Sequence, residues 1–193
     1  MADITVARVS ALAGYYNPGQ HGAVESGVVI REVSDLNLWQ LAAWPETLSA
    51  AAENLATASG VGSVPGFGCA TGTESLALLR IEPLKFWVYG VSASSNGSDE
   101  SVVLDLSHSR TQLRITGEYA TTLLNGYLPV DLRDAAFPVN SVASTAFHHV
   151  GVTLWRSPAG YELFMPRGFA LSLWELLQES ALCLLYTSPS PRD

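Results

Sequence analysis

Two hydrophobic periods alternate along the chain. Residues 28–33 and 36–44 are apolar and rich in strand-forming side chains, which predicts two strands. Beyond Pro45, preset for a first helical turn, and Glu46, suited to the positive end, the spacing changes. Leu48, Ala51, Ala52, Leu55 and Ala56 recur at helical intervals and predict a helix ending near Gly60. A glycine-rich loop over 60–72 leads to strands at 75–82 and 84–90, parted at Pro83. In the second of these, Leu84, Phe86 and Val88 point one way while Trp87 and Tyr89 point the other, so both faces require cover, from helices or from a partner.

The pattern then repeats. A polar linker at 92–100 contains Asn96-Gly97-Ser98, which is a glycosylation acceptor only in a secreted chain and reads here as a turn. Residues 102–106 and 112–115 suggest a hairpin with its turn at 107–110. Thr116 is placed to cap a helix carrying Ala120, Leu123 and Leu124, and Asn125-Gly126 suggests a left-handed close. After a loop with Pro129 and Pro138 come strands at 144–149, 152–156 and 161–165, the last two joined by a turn at 157–160. Pro166 opens a final helix with a stripe of Phe169, Leu173, Leu176 and Leu177. Residues 1–27 hold Gly14, Pro18, Gly19 and Gly22 without a sustained period, and read as an irregular arm.

Strands, helix and strands thus occur twice. The expected class is α+β: two similar halves, about 28–91 and 101–182, of antiparallel strands with packed helices, forming one domain over 28–182. Leu113, Ile115, Leu123, Leu163, Phe169 and Leu173 are the candidate core, and core packing is the default for all five tryptophans.

Composition narrows the function. Hydrophobic residues make up 48% of the 193-residue chain and charged residues 15%, too apolar for disorder and rich enough to suggest a face covered by a partner. The net charge is −8 and the basic residues are scattered, which argues against nucleic acid. Uncharged stretches at 54–73 and 135–155 are too polar and too broken to span a membrane, and the start of the chain lacks a secretory pattern. The expected compartment is the cytoplasm. Residues 183–193 (CLLYTSPSPRD) lack any period and resemble translated transposase sequencing adaptor, so they are set aside. Cys69 is then the remaining cysteine, a passive loop thiol without a neighbouring base.

Sites of chemistry are scarce. The stretch Gly60 to Gly68 has no Lys-Ser/Thr ending and no strand-to-helix setting, as a phosphate cradle needs. His148 and His149, adjacent on a strand, point to opposite faces and cannot easily share a metal. Asp105, Ser107 and His108 include the residue types of a hydrolase triad but are crowded at a strand end without a nucleophile elbow, so they read as a turn network. No catalytic, cofactor-binding or metal residue is therefore assigned to the chain. Trp39, Trp87 and Tyr89 are the candidate subunit interface, because their strands are apolar on both faces.

Five segments carry a resemblance. They are Leu38 to Pro45 (LWQLAAWP), LLRIEPLKFWVYG at 78–90, DLSHSRTQLRITG at 105–117, NGYLPVDL at 125–132 and GVTLWRSPAGYELFMPRGFALSLWELL at 151–177. In this order, over roughly 28–180, they resemble the gamma family of heterotetrameric sarcosine oxidase, itself similar to the folate-binding domain of glycine-cleavage aminomethyltransferases. The resemblance implies a noncatalytic subunit of a complex that demethylates sarcosine oxidatively to glycine, with hydrogen peroxide and a one-carbon unit passed to tetrahydrofolate. It further implies alpha, beta and delta partners, chiefly the large alpha subunit, and places FAD, FMN, NAD, zinc and tetrahydrofolate in those other subunits. Residues 148–152 stand where the aminomethyltransferases carry acids of folate chemistry and hold no carboxylate here. A free-standing folate-binding or aminomethyltransferase-like protein is the alternative.

Overall fold

A computed structural model describes residues 8–15, 27–91 and 101–184. Its first half contains β1 (Val29–Glu32), β2 (Leu38–Ala43), helix α1 (Leu48–Ser59), β3 (Ala70–Gly72), β4 (Ala77–Glu82) and β5 (Lys85–Tyr89). The second repeats the order with β6 (Ser101–Asp105), β7 (Arg110–Thr116), α2 (Ala120–Asn125), β8 (Val142–Phe147), β9 (Val150–Ser157) and β10 (Gly160–Pro166), then adds α3 (Ala170–Leu184). The two five-stranded sheets are antiparallel at every pairing, in the orders β1-β7-β10-β9-β8 and β6-β2-β5-β4-β3. Position for position these orders are the same. Each half, however, lends its first strand to the other half's sheet.

That exchange corrects one expectation. Strands β6 and β7 are not a hairpin: β6 lies on the edge beside β2, with Trp39 opposite Asp105, while β7 lies between β1 and β10. The intervening turn carries the chain from one layer to the other. Asp105 Oδ1 accepts from the Ser107 amide at 2.8 Å, and Ser107 Oγ both accepts from Leu38 N and donates to Leu38 O. A turn between layers uses the same polar residues as a hairpin turn, so local sequence cannot separate them.

Four layers result. Helix α1 covers one sheet, burying Ala51, Ala52, Leu55 and Ala56 against Leu41, Phe86 and Val88. Helices α2 and α3 cover the other, where Leu113, Ile115, Leu123, Leu163, Leu173 and Trp174 meet. Between the sheets lies a third apolar layer containing Leu79, Trp87, Tyr89, Trp155 and Phe164. The α1 end at Gly60 is as expected, since that residue takes the left-handed conformation at φ 76°.

Other local readings shift. Thr116 is the last residue of β7 and caps nothing; α2 starts at Ala120 after a turn. Gly117 makes that turn at φ 108°, where a Cβ would lie 1.9 Å from the Gly27 carbonyl oxygen. Gly126 is right-handed (φ −69°), because the chain continues in helical turns that bury Leu128. His148 and His149 form the two-residue turn of the β8–β9 hairpin instead of ending a strand, with His148 at φ 52°. Phe169 ends a 3-10 turn just before α3 and is 45% exposed, and Leu176 of α3 also faces outward, while Ala170, Trp174 and Ala181 join Leu173 and Leu177 inside. A helix apolar around much of its girth leaves several stripes to choose from, and the tryptophan takes the core. Trp44, by contrast, is exposed.

The arm is irregular where described, yet it is anchored. Leu12 is fully buried in the layer under α2 and α3, and the Arg8 guanidinium donates to the carbonyls of Val33, Ser34, Ser107 and Arg110. The Asn96 turn, and residues 185–193 of the set-aside tail, lie outside the described residues; Cys183 and Leu184 are the end of α3.

Candidate functional site

The layer between the sheets is apolar in its middle and polar at both ends. At its closed end Glu162, on β10, is 0% exposed in the run Tyr161-Glu162-Leu163-Phe164-Met165. A bare carboxylate there would be prohibitively costly, and three donors meet it. Arg114 Nε lies 2.6 Å and Ser157 Oγ 2.9 Å from Oε1, and Gln112 Nε2 lies 2.7 Å from Oε2. Gln112 Nε2 also donates to the Tyr89 hydroxyl at 3.3 Å. Burial raises the Tyr89 phenol above its ordinary range, an effect the Gln112 hydrogen bond partly offsets. With both Glu162 oxygens accepting hydrogen bonds from protein donors, this network welds β7, β9, β10 and β5 together. Sequence reasoning missed it, although a lone acid within YELFM was a signal.

At the other end the sheets part and leave a cleft of about 460 Å³, whose lining includes Gln40, Lys85, Trp87, Arg110, Gly151, Thr153 and Phe164. Trp87 Nε1 donates to Gln40 Oε1 at 3.2 Å, and the Arg110 guanidinium lies 6.0 Å from the centroid of the Trp87 ring. Lys85 is already paired with Glu82 at 2.8 Å. Burial lowers the Arg110 pKa.

The residues singled out from sequence fall as follows. Trp39, Trp87 and Tyr89 are 5%, 3% and 6% exposed, so none presents a free ring to a partner. Trp87 and Tyr89 pack edge-on against Phe164 and Trp155 of the opposing sheet, at 5.6 Å in each case. Trp39 lies on the other face beneath α1, its Nε1 donating to the Val91 carbonyl. The second apolar face of β5 is thus covered by the chain's own other sheet, a cover that no period in the sequence announces.

Ser107 Oγ is committed to the Leu38 backbone, as a turn network requires. The loop after Gly60 borders a groove lined by Glu53 and without a basic side chain, unlike a phosphate cradle. His148 stacks edge-on against Tyr127 and Phe147. Among the described residues no group of three or more His, Cys, Asp or Glu could hold a metal ion, and Cys69 is an exposed free thiol.

No protein-family model matches the sequence. Curated relatives do. A sarcosine oxidase subunit gamma from an Arthrobacter species is 30% identical over 155 residues, covering 77% of this chain and 76% of that protein. Another, from Corynebacterium sp. (strain U-96), is 32% identical over 157 residues, covering 75% and 74%. The chain belongs to the sarcosine oxidase subunit gamma family. In the solved heterotetrameric sarcosine oxidase of Corynebacterium sp. U-96, in complex with pyrrole 2-carboxylate, one chain matches this member of the family with a TM-score of 0.78 at 25% identity. The match covers 95% of this chain and 99% of that one. Aminomethyltransferase T of the glycine cleavage system from Bartonella henselae shares the fold more distantly, with a TM-score of 0.53 at 16% identity over 82% of this chain and 48% of that one.

Proposed function

We propose that the chain is the noncatalytic gamma subunit of a heterotetrameric sarcosine oxidase that converts sarcosine to glycine with release of hydrogen peroxide, passing a one-carbon unit to tetrahydrofolate. The observation that carries this reading is the end-to-end match with one chain of such a heterotetramer, together with curated gamma subunits aligned over three quarters of their length. Its interior supports the noncatalytic part. The fully buried carboxylate Glu162 accepts on both oxygens from Arg114, Gln112 and Ser157, and so is a structural group instead of a base open to substrate. In this reading FAD, FMN, NAD, zinc and tetrahydrofolate belong to the alpha, beta and delta subunits, and alpha is the principal contact. No helix among the described residues is long and apolar enough to cross a membrane, which accords with a cytoplasmic complex.

Co-expression with and without this chain tests the proposal. The chain purified alone should be colourless and inactive on sarcosine, and should restore assembly and peroxide production when combined with alpha, beta and delta. A lone chain that retained flavin or oxidised sarcosine, or a complex fully assembled and active in its absence, would refute it.

A further inference from the structure

The open end of the inter-sheet layer holds a cation for which the described residues supply no anion. Among the described residues no acceptor receives a hydrogen bond from the Arg110 guanidinium, and its neighbour within reach is the face of Trp87. Lys85 and Glu82, at the same cleft, neutralise each other, so the local excess is one positive charge. A partly buried guanidinium gains more from a counter-ion than an exposed one, because water screens it less. Its planar fork matches a carboxylate with two parallel hydrogen bonds.

The rest of the cleft is built to admit such a group. Gln40 accepts from Trp87 Nε1 through Oε1, which leaves its amide nitrogen as a donor. Thr153 is among the lining residues, as are the aromatic side chains of Trp87 and Phe164. Gly151 also lines the cleft; its backbone is not left-handed, and a Cβ there would meet nothing within 4 Å. The glycine is therefore dispensable to the strand itself, and a larger side chain would narrow the entrance.

We infer that this cleft is a carboxylate-binding site, with the Arg110 guanidinium as the fork, Gln40 and Thr153 as further donors, and room for a small planar body against Trp87. The carboxylate comes either from a free small molecule or from an acidic side chain of a neighbouring subunit. The chemistry at Arg110 is the same.

The test uses the full chain, titrated with benzoate at constant ionic strength while tryptophan emission is followed, with benzamide as the uncharged isostere. Benzoate should saturate and benzamide should not. Arg110→Gln should weaken binding about tenfold or more, the scale of a lost charge-assisted pair, while Lys85→Gln leaves it within about twofold. Gly151→Leu, which keeps Arg110, should abolish binding, so the inference stays testable if the arginine variant fails to fold. Equal binding of benzamide, no saturation by benzoate, or indifference to both Arg110→Gln and Gly151→Leu would overturn it. The same titration of the assembled complex separates the sources. Saturation there identifies a free carboxylate. A site closed in the complex, with assembly weakened by Arg110→Gln, identifies a partner's carboxylate; a closed site with assembly unaffected would overturn the assignment. Because the first titration reads the single chain, its failure leaves the subunit reading untouched.

Discussion

Replacing Glu162 should produce a graded loss of stability whose order follows from its three donors. In Glu162→Gln the shape is kept and the amide oxygen can still face Arg114 and Ser157, while its NH2 would confront Gln112 Nε2. That clash has a remedy, because Gln112 Oε1 has no partner and a flip of the Gln112 amide presents it to the new donor. What is lost is mainly the charge assistance, about half of each bond's strength, so we expect about 1.5–3 kcal/mol. Glu162→Leu removes the acceptor altogether and strands Arg114, Gln112 and Ser157. Loss of one partner of a buried pair costs about 3–5 kcal/mol. Arg114 is 27% exposed and keeps some water, which places the value near the lower end. Chemical denaturation should show midpoints ordered wild type, Gln, Leu with unchanged slope, and thermal unfolding a drop of about 6–12 °C for Leu. The double variant Glu162→Leu/Arg114→Leu should be at least about 1 kcal/mol more stable than the sum of the single losses. A loss under about 1 kcal/mol for Glu162→Leu, or equal losses for Gln and Leu, would show that the network does not hold the sheets.

Four further outcomes follow. Leu163→Ala, at a fully buried position, should cost about 2–5 kcal/mol, whereas Phe169→Ala should cost under about 1 kcal/mol because its ring is 45% exposed; denaturant midpoints decide. Since burial raises the Tyr89 pKa above its ordinary 10.0, its contribution is full below that value and falls as pH rises through the raised one, so Tyr89→Phe should flatten the alkaline loss of stability measured by denaturation between about pH 9 and 12. His148→Ala and His149→Ala should leave turnover of the assembled complex unchanged. His148→Val, β-branched at φ 52°, should cost about 1–2 kcal/mol of stability.

Much of this protein was legible from local pattern alone. The α1 stripe, its stop at Gly60, the break at Pro83 and the two-sided apolar face of β5 depend on neighbours in sequence, and period and turn chemistry report those directly. So does the repeat of strands, helix and strands, which set the α+β class, and the ordered segments that suggested the family. Pairing is another matter. That β6 joins β2 while β7 enters the opposite sheet depends on which edge each strand meets after the chain has collapsed, and the turn at 107–109 is compatible with either. The same gap misplaced Trp39, Trp87 and Tyr89 as partner anchors. Their strands do need cover on two faces, but only the exchange of first strands between halves shows that α1 and the second sheet supply it. Glu162 and Arg110 divide along the same line. A strand's sequence shows where an acid or a base stands, while the tertiary fold decides which charge is met by donors from two neighbouring strands and which is left facing an open cleft.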